Sequence, residues 1–156
     1  MIKFRGVFTA SAVLLTAVFA AGYAVLSSEE AIQPSQVLTW DCEFPAYKPV
    51  YMTIYCGDGG AFINKIKWKS WSKKGATGVA EYSKNLCDPN CADGKIVNAQ
   101  VNVWLSNLTH WNGKYYLRTL DMRSINGKNF PWGESGSFTW DVAEFAESMI
   151  RKDKIE

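Results

Sequence analysis

The chain has a single histidine, His110, in 156 residues, so any mechanism that needs an imidazole base has one residue to draw on. His110 stands between Thr109 and Trp111 in an expected turn, with no motif around it, and reads as a surface residue. No Gly-x-Ser-x-Gly elbow, His-Glu-x-x-His helix or phosphate-binding glycine loop is present. Charge of one sign is lacking as well. There are 17 Lys and Arg against 15 Asp and Glu, and without Lys3 and Arg5 the remainder balances at 15 of each. A neutral domain has no overall electrostatic pull on nucleic acid or anionic lipid, so no nucleic-acid partner is expected. Internal repeats and low-complexity tracts are also missing.

What is present begins with Lys3 and Arg5, succeeded from Gly6 to Leu26 by a stretch without charge. This is the pattern of a secretory signal, and it places the remainder of the chain outside the cytoplasm. Small residues at Val18 and Ala20, and at Gly22 and Ala24, sit at cleavage spacing and favour removal. The run of about 20 apolar residues is also long enough to remain as a membrane anchor. Residues 1–26 are therefore read as signal or anchor, with membrane contact only through this segment if it is not cleaved. Residues 27–39 are polar without periodicity and read as a tether. Residues 40–156 form one domain of roughly the size that holds a single core.

An even number of cysteines in an exported chain reads as a disulfide framework, and four allow three pairings. Spacing favours Cys42 with Cys56 and Cys87 with Cys91, the second pair closing a short loop pre-bent by Pro89. Cys42 and Cys56 are too far apart in sequence for a zinc pair, whose ligands usually lie two to four residues apart. Asp88, Asn90 and Asp93-Gly94 depart from the EF-hand calcium spacing and no glutamate closes the loop. No cofactor or metal is called for.

The stretch from Ile54 to Trp71 organises the domain: two apolar runs flank Gly57-Asp58-Gly59-Gly60, a tight turn with a cysteine at its mouth. Val50 to Cys56 alternates as a strand, with Val50, Met52 and Ile54 on one face and Tyr51, Thr53 and Tyr55 on the other. Phe62, Ile66 and Trp68 alternate with Lys65, Lys67 and Lys69, a half-buried strand with a solvated lysine face. Trp68 and Trp71, three apart on a strand, are expected to point to opposite faces. Pro45 and Pro49 keep residues 41–48 irregular or edge-like. Gly75 to Gly78 reads as a break, residues 79–83 as a weak strand, and residues 85–95 as a loop pinned by the second cysteine pair.

Ala99 to Leu105 alternates again, with Gln100, Asn102 and Trp104 on its polar side. Asn112-Gly113 marks a primed hairpin turn into a strand over residues 115–122. A second Asn-Gly at Asn126-Gly127 opens a loop, and the sheet is expected to stop by Gly136. Over residues 139–152, Val142, Phe145, Ala146, Met149 and Ile150 follow helical spacing, with acids early and bases late. The fold class is thus mainly β, an antiparallel sandwich- or barrel-like sheet with one C-terminal α-helix, disulfide-bonded.

Two kinds of residue offer chemistry. Asp41, Asp58, Asp88 and Asp93 lie near turns or cysteines, where aspartates commonly satisfy backbone N–H groups. Asp58 and Asp93 are the pair on which an aspartate-based hydrolase would depend. The stronger signal is aromatic: the seven tryptophans and seven tyrosines include Tyr51, Tyr55, Trp71 and Trp104 on faces opposite the expected core. Exposed rings of this kind stack on sugars or anchor a protein partner.

Asp41-Cys42, Pro49, Cys56-Gly57-Asp58-Gly59, Trp68-x-x-Trp71, Ala76-x-Gly78, Cys87-x-Pro89-x-Cys91-Ala92-x-Gly94 and the strand from Val101 to Leu105 occur in this order. Together they resemble an uncharacterised family of small secreted, four-cysteine actinobacterial proteins. The resemblance spans Trp40 to Leu105 and does not reach the C-terminal helix. It implies a secreted or envelope location and paired cysteines, and it supplies no catalytic or binding residues. The expectation that results is a secreted or envelope-associated, non-enzymatic binding domain for a cell-wall glycan or a protein partner. An inhibitor of an extracellular hydrolase, an aspartate-based hydrolase and a structural envelope component are the alternatives.

Overall fold

A computed structural model describes residues 31–152. The expected signal or anchor segment, and the tether as far as Glu30, lie outside the described residues. After a single 3-10 turn at Pro34–Gln36 come β1 (Val37–Asp41), β2 (Phe44–Ala46), β3 (Met52–Thr53), β4 (Ala61–Ser72), β5 (Gly75–Asn85), β6 (Ile96–Trp111), β7 (Lys114–Ser124), β8 (Ser137–Asp141) and α1 (Glu144–Lys152). The expected mainly-β class with one C-terminal helix is what the chain adopts, as a sheet curled into a half-barrel. Among the described residues, no helix is long and apolar enough to cross a membrane.

The sheet runs β2-β1-β7-β6-β5-β4-β3, and β8 also pairs with β7. The long antiparallel meander from β4 to β7 arises from local chemistry. Asn112 and Gly113 both take positive φ, 47° and 73°, which is the primed turn whose twist suits adjoining strands. Val101, Val103 and Leu105 of β6 and Leu120 and Met122 of β7 are buried on the inner face, as their alternation requires. One edge of β7 serves two strands: β1 pairs parallel to it at Tyr115 and Tyr116, and β8 pairs antiparallel from Thr119 to Arg123.

The curl brings β1 and β3, far apart in strand order, together at one corner. Cys42 and Cys56 form a disulfide there, the Asp41 carboxylate accepts a hydrogen bond from Thr53 N at 2.8 Å, and Trp71 Nε1 donates to Val37 O at 2.8 Å. Cys87 and Cys91 form the second disulfide, so both expected pairs are present. A chain of aromatic contacts runs from Trp132 and Phe130 through Tyr82 and Phe138 to Trp140 and Tyr55.

Several expectations are corrected. Val37 and Thr39, expected in the tether, are fully buried in β1, because parallel pairing with β7 overrides a stretch too short to show periodicity. The strand expected over residues 50–56 shortens to Met52–Thr53; Val50 is exposed, and Ile54 N and Tyr55 N both turn to Ala61 O. Gly75 begins β5 in place of a break. Gly78 is needed within it because a Cβ there would come 2.8 Å from Lys67 O. The sheet continues past Gly136 into β8, so the helix starts at Glu144 and not at residue 139. The apolar positions of residues 138–142 serve β8 and the corner after it.

Arg118 of β7 fixes that corner. Its Nε donates to both carboxylate oxygens of Asp141, at 3.0 and 2.8 Å. Its two terminal nitrogens meet Glu147 Oε1 and Oε2 of α1, at 2.5 and 3.0 Å. Hydrogen bonding to Asp141 and Glu147 raises the already high Arg118 pKa, so its charge is permanent. Ala143 and Ala146 line a cavity of about 130 Å³ with Trp40, Thr109, Trp111 and Arg118, placing the helix against the inner side of the sheet.

Candidate functional site

With α1 on the inner side, no described element covers the outer face of β5 to β8, and Trp104 stands in the middle of it. Register places Thr77, Trp104, Asp121 and Thr139 in one row across the four strands. The next row holds Val79, Asn102, Arg123 and Ser137. Trp104 faces out because its strand neighbours Val103 and Leu105 face in. The ring is half-buried, with the exposed Arg123 guanidinium 5.8 Å from its centroid, close to the outer limit of a cation–π contact. Thr139 Oγ1 donates to Asp121 Oδ1 at 2.6 Å. The row thus offers a planar ring beside hydroxyl, carboxylate and guanidinium groups on rigid strands, an arrangement that can stack on a ligand and hydrogen-bond its rim.

The four rings expected at a binding face part company. Trp71 lies in the core at 6% exposure, held by its bond to Val37 O, and is not a surface ring. Tyr51 is exposed and stacks on Phe62 with centroids 5.3 Å apart. Tyr55 is half-buried and meets Trp140 edge to face. With Gly57, Glu144, Phe145 and Ser148 it lines a separate groove of about 410 Å³. Only Trp104 lies on the open row. Arg123, Ser137 and Trp140 carry no expectation of a site: Arg123 and Ser137 flank the loop expected from Ile125 to Gly136, and Trp140 falls in the expected helix over residues 139–152; Arg123 is nonetheless one step beyond Met122 in an alternating strand.

Asp58 and Asp93 each serve their own turn. Asp58 Oδ1 accepts from Gly60 N at 2.8 Å, and Asp93 Oδ2 accepts from the Asn90 side chain at 3.0 Å. His110 is exposed at the end of β6, its ring 4.9 Å from that of Tyr115, and so belongs to a strand end and not to a turn. Among the described residues, no three His, Cys, Asp or Glu side chains gather to hold a metal.

Fold and site together define a disulfide-stapled β half-barrel with an aromatic and arginine face on the outside of its sheet. No family model matches the chain, and neither a curated protein nor a solved structure is detectably similar to it.

Proposed function

We propose that this chain is an extracytoplasmic, non-enzymatic binding domain that holds a cell-wall glycan on the outer face of β5 to β8. The observation that carries the reading is Trp104 on a sheet face that no described element covers, ringed by side chains that hydrogen-bond. A sugar's C–H face packs on an indole while its hydroxyls take polar partners around the rim. The uncharged run after Arg5 and the two disulfides support a location outside the cytoplasm.

The test is sedimentation of the protein with purified, insoluble cell-wall polysaccharide. Wild type is expected in the pellet, and Trp104→Ala is expected to bind at least about tenfold more weakly with unchanged circular dichroism. Equal binding by the two proteins overturns the reading.

A protein partner, such as an extracellular hydrolase to be inhibited, is the second reading. It is favoured by the exposed side chains of Phe44, Tyr47, Val50 and Tyr51, close together in sequence around β2 and β3. Replacing Phe44 and Val50 with serine would abolish that contact and leave glycan binding intact.

A further inference from the structure

Beside Trp104, the chain leaving β7 folds back so that Arg123, Ser124, Gly127, Asn129, Ser135, Gly136 and Ser137 surround an open pocket of about 340 Å³. None of these residues is acidic. The backbone closes tightly around it: a Cβ on Gly136 would collide with Lys128 O, and Ser124 N donates to Gly136 O at 2.7 Å. The loop is therefore held in shape by main-chain contacts.

We propose that this pocket takes a compact oxyanion, a carboxylate or phosphate carried by the glycan seated on Trp104, so that the preferred ligand is an acidic polysaccharide. The inference rests on the glycan reading and adds the class of sugar. Arg123 makes no ion pair among the described residues, whereas the nearby acids are engaged elsewhere. Asp121 accepts from Thr139, and Glu134 accepts from Lys84 and from Trp132 Nε1. An unpaired guanidinium offers a fork of donors matched to a two-oxygen anion.

Ser124 Oγ is taken up by Asn126 Oδ1, but other side chains of the lining can donate. Ser135 Oγ and Ser137 Oγ lie 3.2 Å apart, so whichever accepts from the other keeps its own hydrogen for a ligand. Asn129 makes no hydrogen bond to the described residues and has an amide to give. Arg123 lies between ring and pocket, so an anion in the pocket would draw the guanidinium off the indole and free more of the ring. The chain is close to neutral as a whole, and the selectivity is local.

The experiment has two arms on the intact domain. In the first, ¹H–¹⁵N NMR tracks titration with inorganic phosphate. Shifts confined to Arg123 Nε–H and the amides of residues 124–137, absent in Arg123→Gln, support the pocket whether or not any glycan binds. No shift at millimolar phosphate overturns it.

The second arm compares affinity electrophoresis in polygalacturonate, poly(glycerol phosphate) and a neutral glucan. Wild type should prefer at least one acidic polymer over the neutral one by roughly tenfold. Arg123→Gln should equalise them, and Trp104→Ala should weaken all. Which polymer is preferred separates a carboxylate from a phosphodiester source. A preference that survives Arg123→Gln overturns the inference while leaving the Trp104 reading standing. Binding that ignores Trp104→Ala overturns the reading while the phosphate titration still judges the pocket.

Discussion

The indole rings of Trp68 and Trp71 meet edge to face, with centroids 4.9 Å apart and planes at 80°, although they stand three positions apart on one strand. Trp68 pairs with Gly78 and Ser70 with Thr77, so Lys69 is an extra residue that shifts everything after it to the other face. Trp71 thereby enters the core beside Trp68, whose own Nε1 donates to Pro49 O at 2.8 Å.

Trp71→Ala is therefore expected to cost about 3–5 kcal/mol, as for other buried aromatic truncations. Trp71→Phe keeps most of the packing but leaves Val37 O without its donor, for about 1–2 kcal/mol. Urea unfolding of the two variants checks the order, and a Phe variant as damaging as Ala would contradict it.

The Arg118 fork should be specific to arginine. Arg118→Lys supplies one point charge where two carboxylates receive a planar fork, and is expected to behave nearly as badly as Arg118→Met. All three partners are partly exposed, with side-chain exposures of 28, 39 and 41%. The loss is accordingly about 1–2 kcal/mol after solvent screening. Hydrogen exchange should speed up first at Glu147, whose N–H bonds Ala143 O across the start of α1.

The two disulfides should differ in weight. Cys42–Cys56 spans 14 residues and ties β1 to β3, whereas Cys87–Cys91 spans four within one exposed loop. Loop-closure entropy assigns roughly 3 kcal/mol to the first and about 2 to the second. Serine replacement of each pair, with denaturant unfolding as the readout, should rank them in that order.

Alkali should destabilise the fold through two buried tyrosines. Burial raises the Tyr82 pKa above its ordinary 10.0, with Tyr55 and Glu134 adding to the effect, and burial also raises that of Tyr116. A folded-state pKa above the unfolded one means the folded protein holds its proton longer. The stability this contributes is whole below pH 10.0 and falls as pH rises beyond it. Tyr82→Phe should flatten that fall, as read by urea midpoints at stepped alkaline pH.

The meander was legible where turn chemistry and alternation agreed, as at Asn112-Gly113 and in Val101–Leu105. It became illegible where the backbone inserted residues. Lys65 takes a positive φ of 52° and, like Lys69, marks an extra residue in β4, so a strictly alternating reading puts Ile63 and Trp71 on the wrong side. Strands β1 and β8 are short and paired by residues distant in sequence, so nothing local announced them. At the site, alternation along β6 was enough to turn Trp104 outward. The Arg123 pocket depends on how residues 124–137 fold back, which no periodicity encodes.

The edge of β7 shared by β1 and β8 also sets an order of assembly. Strands β4 to β7 are sequence neighbours and can zip together in turn, with little chain entropy to overcome at each step. The far edge of β7 has no such neighbour. It is covered at one end by Val37 and Leu38, before the meander in the chain, and at the other by residues 137–141, after it. Until both arrive, it is an unpaired strand open to other chains. A chain halted before Asp141 would therefore hold a nearly complete sheet and still be prone to aggregate, because the strand that shields it follows the other seven in the chain.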